Sequence, residues 1–353
     1  VMIGILPTLT EDMLGVEAMS GMARYRALNE QVMRLRRGRP LSLDIQGAEF
    51  LHTEHRDVML EAATTSFQIH LQLAAEKAVR YFNAGVILSA PLVGVAANSP
   101  FLFGRRLWRE TRIPLFEQSV ASGGYGGAAF GPVKRATFGS GYVRSSLLEL
   151  FEENLEHYPP LLPVELEDPP ESFGHLRLHN GTIWRWNRPL LGFDGDGAPH
   201  LRLEHRVIPS GPSVADTAAN AALFFGLIRT LGERSEPPED RLEFAVAREN
   251  FYRAAKHGLE ANVTWLDGRT WPLVHLLREE LLPMAREGLR DQGCAAEDID
   301  ELLGIIGERV RTGQTGAAWQ IAYTEKRGRV FPDLVAAYRE HQDSGKPVHQ
   351  WPV

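Results

Sequence analysis

The stretch HLRLEHRV, residues 200–207, sets Arg202, Glu204 and Arg206 at every second position, with Leu201, Leu203, His205 and Val207 between them. Successive side chains of a β-strand point to opposite faces. The pattern therefore demands a two-sided strand, with Arg, Glu, Arg on one side and a mostly apolar other side. Taken alone, the charged side is most simply a solvated sheet face. The rest of the chain has to decide between that and a working surface.

Residues 65–74, TSFQIHLQLA, alternate in the same way, with Phe67, Ile69, Leu71 and Leu73 against Gln68, His70 and Gln72. TIWRWNRPLLGF and PHLRLEHRVIPSG are two further strand patterns joined by DGDGAP, a hairpin-type turn rich in Asp and Gly. This hairpin adds Arg185 and Arg188. If these polar sides share one concave sheet, it holds a carboxylate, an imidazole, amide oxygens and several guanidiniums. Guanidiniums present planar forks to phosphate and carboxylate groups. Glutamate, neutral histidine and amide oxygen can ligate a divalent ion, and Mg²⁺ prefers oxygens while keeping water and substrate phosphates in its shell. Together these residue types suit nucleotide–metal phosphoryl transfer, where catalysis is mainly positioning and charge neutralisation. Each has an ordinary reading too: His70 as a hydrogen-bonded sheet histidine, Asn98 as a turn residue, and Arg253, Lys256 and His257 as a helix's solvated side.

Bulk properties narrow the classes. A net charge of −7 argues against nucleic-acid binding that rests on overall charge. With 44% hydrophobic residues the chain can bury a sizeable core. The single cysteine, Cys294, allows no intrachain disulfide and no cysteine-based metal site, which fits a cytoplasmic protein. No apolar run reaches the roughly 18–20 residues of a membrane span; residues 84–97, interrupted by Pro91, are expected to be buried. The opening VMIGILPTLT is strand-like from its first residue, so the chain is expected to lack an N-terminal portion. Residues 10–38 and 74–90 are expected to be helical, 41–47 a strand, and 213–310 mainly helical, with Ser213 as an N-cap. The glycine-dense segment 122–132 is a lid candidate without the G-K-[ST] of a phosphate-binding loop, and PVHQWPV is expected to be an irregular tail.

The order of HLQL, PLVGVAANSPFLFGRRLWRETRIPLFEQ, TIWRWNRP, LRLEHRVIPSGPSVADTAANAALFFGL and ENFYRAAKHGL resembles glutamate–cysteine ligase family 2, the bacterial carboxylate–amine ligases. The resemblance implies a single catalytic domain over residues 1–353, of α+β class and glutamine-synthetase-like. Its antiparallel sheet would curve into a funnel with helices packed outside. It also implies ATP and Mg²⁺ as cofactors, an amino acid and an amine as small-molecule substrates, and a γ-glutamyl phosphate intermediate. Neither nucleic acid nor membrane is an expected partner, and a homo-oligomer is compatible with the family.

Residue by residue, the resemblance makes Glu204 a metal ligand and puts Arg206 on the transferred phosphate. Arg188 falls near phosphate or substrate, and His70 near metal and nucleotide. Asn98 in ANSPF and Arg112 after it fall at substrate contacts, Gln72 falls beside His70 on the cofactor, and Arg253 and Lys256 fall on a basic nucleotide-side helix. The chain departs from the pattern in three places. Gln72 replaces the second histidine of a His-x-His strand. WRWNRP lacks an acidic residue before Arg188. The Gly-Val-Glu-Glu-Glu strand has no counterpart, since GVEAM carries only Glu17 within a helical pattern. These departures support an alternative: a catalytically silent nucleotide- or amino-acid-binding homologue with a regulatory or partner-binding role.

Overall fold

The computed structural model of the 353-residue chain describes residues 1–122 and 134–353. Apart from Ser122, the lid candidate 122–132 lies outside the described residues.

The alternating stretches form one three-stranded antiparallel sheet. Pro199–His205 runs down its centre, with Asn187–Phe193 on one side and Ile69–Leu73 on the other. The register places His70, Glu204 and Arg188 directly opposite one another in one row. Gln72, Arg202 and Leu190 form the next row on the same face. The reverse face carries Ile69, Leu203, His205 and Asn187, all buried.

Helix Ala78–Ala96 lies directly on that reverse face. Its close approach depends on Gly85, where a Cβ would come within 2.8 Å of the Leu203 side chain. Helices Val214–Gly232, Phe244–His257, Leu282–Asp291 and Ala296–Thr312 pack around it and complete the main core. Val214–Gly232 starts at the expected N-cap: Ser213 accepts from the Asp216 N–H while Asp216 returns a bond to the Ser213 N–H, a reciprocal capping box. Its other end meets Leu282–Asp291 through paired glycines. A Cβ on Gly226 would sit 2.2 Å from the Ala285 carbonyl oxygen, and one on Gly288 would sit 2.0 Å from that of Gly226.

The α+β class holds, but among the described residues the strands form five small sheets rather than one continuous funnel wall. Leu41–Gln46, the expected strand, pairs with Phe50–His55. Several local expectations change. Residues 1–10 contain no strand; they run as irregular chain, with Ile3 and Ile5 buried and Gly4 bonded to Asn98 and Thr65. Of residues 10–38 only Ala23–Leu35 is α-helix, preceded by single turns at Glu11–Met13 and Val16–Ala18. Pro91 does not interrupt its helix, and the span Ala75–Ala96 is long and apolar enough to cross a membrane. With 83% of its most apolar window buried inside the fold, it serves as the core helix. The C-terminal segment is anchored, with Val348 and Trp351 buried.

Two outcomes follow from this packing. Gly226→Ala should destabilise by about 1–3 kcal/mol, because the helix backbones have to separate. Gly304→Ala, in a mid-helix position with open space around it, should be neutral or slightly stabilising. Urea midpoints of the two variants test the contrast. The second outcome concerns His205, whose imidazole is fully buried, stacks on Phe224 at 4.6 Å and is pulled down to about 3 by burial. The unfolded chain takes up this proton near pH 6.5 and the folded chain does not, so the neutral form's contribution is complete above pH 6.5 and lost as pH falls toward 3. Stability should fall by up to about 1.4 kcal/mol per pH unit across that window, and His205→Gln should flatten the slope. Unfolding free energies at stepped pH values measure both.

Candidate active site

Glu204 sits next to the last residue of the central strand with 2% of its surface exposed. Its carboxylate is gripped by Arg188 from the neighbouring strand, with Nε donating to Oε2 at 2.8 Å and Nη2 to Oε1 at 3.2 Å. Such fork-to-fork pairing fixes orientation as well as charge. His70 Nε2 approaches Oε1 to 3.4 Å from the opposite strand, and Arg206 Nη1 lies 3.8 Å from Oε2. Burial pushes the Glu204 carboxyl up, but Arg188, Arg206 and His70 outweigh it and hold the group below the usual range, hence ionised.

Arg206 follows the strand, its backbone N–H held by the Trp186 carbonyl at 3.0 Å and its guanidinium 5.3 Å above the Phe116 ring. Burial pulls it down to about 10, which leaves it charged at neutral pH. Its Nε and Nη1 are buried and make no hydrogen bond. A buried donor without an acceptor costs about 1–3 kcal/mol, and more when charged, so this edge of Arg206 calls for an anion.

The other sequence-derived candidates occupy different places. Arg112 is buried one layer behind, where it bonds Glu110, the Ser66 hydroxyl and the carbonyls of Arg206 and Val207. It therefore positions the Arg206 backbone. Asn98 is fully buried and spends its side chain on the Ser210 carbonyl, the Tyr338 hydroxyl and Gln320. Arg253 pairs with Glu249 and the Asn262 carbonyl, and Lys256 lies 6.0 Å from the Trp108 ring centre. Among the described residues no hydrogen bond or ion pair joins Arg253 or Lys256 to the Glu204 row. Gln72 stands exposed beside Arg202.

Glu61 was not among the expected residues. It belongs to the short turn Met59–Ala63 ahead of the His70 strand, and its charge acts on Arg206. Burial pushes its carboxyl up, while Arg206 opposes the shift. No periodic pattern marks a lone glutamate in such a turn; only its closeness to the His70 strand could have drawn attention to it.

The donors present suit an anion better than a divalent cation. Both Glu204 oxygens are engaged by Arg188, and among the described residues no three His, Cys, Asp or Glu side chains are grouped to hold a metal ion. Two guanidiniums against one carboxylate leave an excess of positive charge on this face.

Comparison with known proteins agrees with the ordered motifs. The profile of glutamate–cysteine ligase family 2 matches residues 7–337. A Rubrobacter xylanophilus protein with the provisional name glutamate–cysteine ligase 2-3 is 26% identical over 268 residues. That match covers 74% of this chain and 60% of the relative's own length. Among solved structures, the Pup ligase PafA in complex with ADP aligns over 88% of this chain and 61% of its own. That likeness, at 9% identity and a TM-score of 0.36, is too loose to carry more. The chain belongs to glutamate–cysteine ligase family 2.

Proposed function

We propose that the chain forms the catalytic part of an ATP-dependent carboxylate–amine ligase of the glutamate–cysteine ligase type. The observation that carries this reading is the buried, unbonded edge of Arg206 beside the Arg188–Glu204 fork, in a chain of this family. In the first step an oxygen of the substrate's γ-carboxylate attacks the γ-phosphorus of ATP. The bond from that phosphorus to the β–γ bridging oxygen breaks, and ADP leaves. In the second step the amine nitrogen attacks the acyl carbon, the carbon–oxygen bond to phosphate breaks, and the nitrogen gives up a proton to solvent. Cysteine is the acceptor amine that the family name implies.

The transferred phosphoryl group needs positive charge that is already in place and cannot reorganise. Arg206 supplies it through Nε and Nη1. Glu204 and Arg188 keep that guanidinium aimed, since Glu204 attracts it from one side while Arg188 bridges to the carbonyls of Asn180, Gly181 and Ile183. No step is assigned to magnesium. Mg²⁺ keeps substrate phosphates in its shell, so the nucleotide would bring the ion with it.

The full-length protein given ATP, Mg²⁺, glutamate and a panel of amines should release ADP and phosphate. Arg206→Met should lower kcat/KM by about 10²–10³-fold, and Glu204→Gln should stop turnover while the protein remains folded. Absence of ADP release with every amine, together with absence of nucleotide binding, would defeat the reading. The closure of Arg188 over both Glu204 oxygens favours a second reading, a nucleotide- or amino-acid-binding protein without turnover. ATP binding without ADP release would single that one out.

A further inference from the structure

The Arg206 guanidinium leaves its Nε and Nη1 unbonded, so whatever keeps it aimed has to act on its backbone and on the flat of the group. Helix Arg112–Ser119 does both. Arg112 and Phe116 stand four residues apart and share a helix face. Arg112 donates to the Arg206 carbonyl at 3.3 Å, and the Phe116 ring centre lies 5.3 Å from the guanidinium carbon. Glu117, the next residue of the helix, takes no part in these contacts and turns instead to Trp186.

Glu117 is buried, and its Oε1 accepts two hydrogen bonds, from the Trp186 indole Nε1 at 2.8 Å and from the Tyr252 hydroxyl at 2.7 Å. Burial pushes its carboxyl up, while Trp186, Tyr252 and Lys134 oppose the shift. Trp186 is fully buried and touches the other supports of Arg206. Its carbonyl holds the Arg206 N–H at 3.0 Å. Its indole ring centre lies 5.3 Å from the Arg112 guanidinium carbon and 5.6 Å from that of the Phe116 ring. An indole has a single hydrogen-bond donor, so the bond to Glu117 sets how the ring is turned.

We infer that Glu117 is a positioning residue for phosphoryl transfer, which through Trp186 fixes the aromatic floor and the carbonyl that hold Arg206 in aim. This role rests on the ligase reading above. Arg206 has to meet a phosphoryl group at hydrogen-bond range, where a displacement of about 1 Å costs on the order of 10²-fold in rate. With one edge left for the incoming anion, the guanidinium depends on the layer beneath it. Arg112 controls the Arg206 carbonyl. Glu117 controls the ring packed between Arg112 and Phe116 and, through the same residue's backbone, the Arg206 N–H. Both donors go to one Glu117 oxygen, which a protonated carboxyl or an amide would keep in place. The site therefore uses its acceptor atom rather than its charge.

The test is a mutant cycle on the full-length protein. Glu117→Leu removes the acceptor and should lower kcat/KM for ATP by about 10- to 100-fold, and Glu117→Gln should recover most of that loss. Trp186→Phe removes the donor and leaves Glu117 in place. It should reproduce the loss, and it serves as the second variant if Glu117→Leu does not fold. In an Arg206→Met background the Leu substitution should cost nothing further, because no guanidinium is left to aim. A general loosening of the core would instead multiply the two losses. Binding of inorganic tripolyphosphate gives the same comparison without turnover. The inference is wrong, while the ligase reading stands, if Glu117→Leu matches the parent, if its loss persists undiminished in the Arg206→Met background, or if Glu117→Gln is equally impaired. If the parent releases no ADP with any amine, the ligase reading falls and tripolyphosphate decides alone. Equal affinity in the parent and Glu117→Leu then defeats the positioning role, and a parent that binds none defeats both.

Discussion

Two guanidiniums share one carboxylate on the central strand, and the rest of the site follows from that imbalance. Glu204 is almost completely buried, and Arg188 and Arg206 are nearly so. Removing charges from water costs several kcal/mol per ion, and the mutual attraction of a pair recovers this only when the geometry is good and the remaining donors are satisfied. Arg188 meets that condition through its fork on Glu204 and its carbonyl contacts. Arg206 does not, because Nε and Nη1 stay without acceptors. A fold that held this arrangement for stability alone would do better with an apolar side chain. The unbalanced cation makes physical sense as part of a site whose partner is a phosphoryl or carboxylate group that arrives from outside.

Keeping a buried guanidinium aimed without bonding it directly requires a rigid support, and the ANSPF region provides one from behind. Glu110 accepts from the Asn98 N–H at 2.8 Å, from the Ser99 hydroxyl at 2.7 Å and from Arg112 Nε at 3.1 Å. Arg112 then passes this fixed position on to the carbonyls of Arg206 and Val207. Burial pushes Glu110 up and Arg112 down, and their mutual attraction opposes both shifts. A pair so deeply placed is costly to break, because either partner alone would be an uncompensated buried charge. The motif acts on the site through backbone position, at one remove from any substrate.

This explains how much of the molecule was legible in the sequence. The alternation in residues 199–205 and 69–73 is a local property of the strand and was visible directly. So were the hairpin and the Ser213 cap. The pairing of His70 with Glu204 joins residues far apart in the chain, and no local pattern encodes it. The residue types in ANSPF and after it pointed to a functional region, but a sequence does not say whether Arg112 faces a cavity or the protein interior. Glu61 leaves no mark in the sequence because an isolated carboxylate in a turn has no periodicity. The first ten residues are apolar because Ile3 and Ile5 are buried, and burial without a neighbouring strand leaves the same trace in composition as a strand does.

What fixes the register across the sheet matters more than any single side chain, since a slip of one residue would exchange the two faces of a strand. The reverse face contains a polar chain that prevents this. His205 Nδ1 meets the Asn187 Oδ1 at 2.7 Å, the Asn187 amide donates to the Ser89 hydroxyl at 2.8 Å, and Ser89 donates to the Gly85 carbonyl at 3.0 Å. The chain ties two strands to the core helix at the point where Gly85 receives Leu203. Shifting the central strand by one residue would press Glu204 and Arg206 onto the apolar helix Ala78–Ala96 and strand three buried polar groups at once. Neighbouring residues of this strand thus have opposite duties. His205 stays neutral to hold the register, and that register keeps the charges of Glu204 and Arg206 on the face where a substrate can meet them.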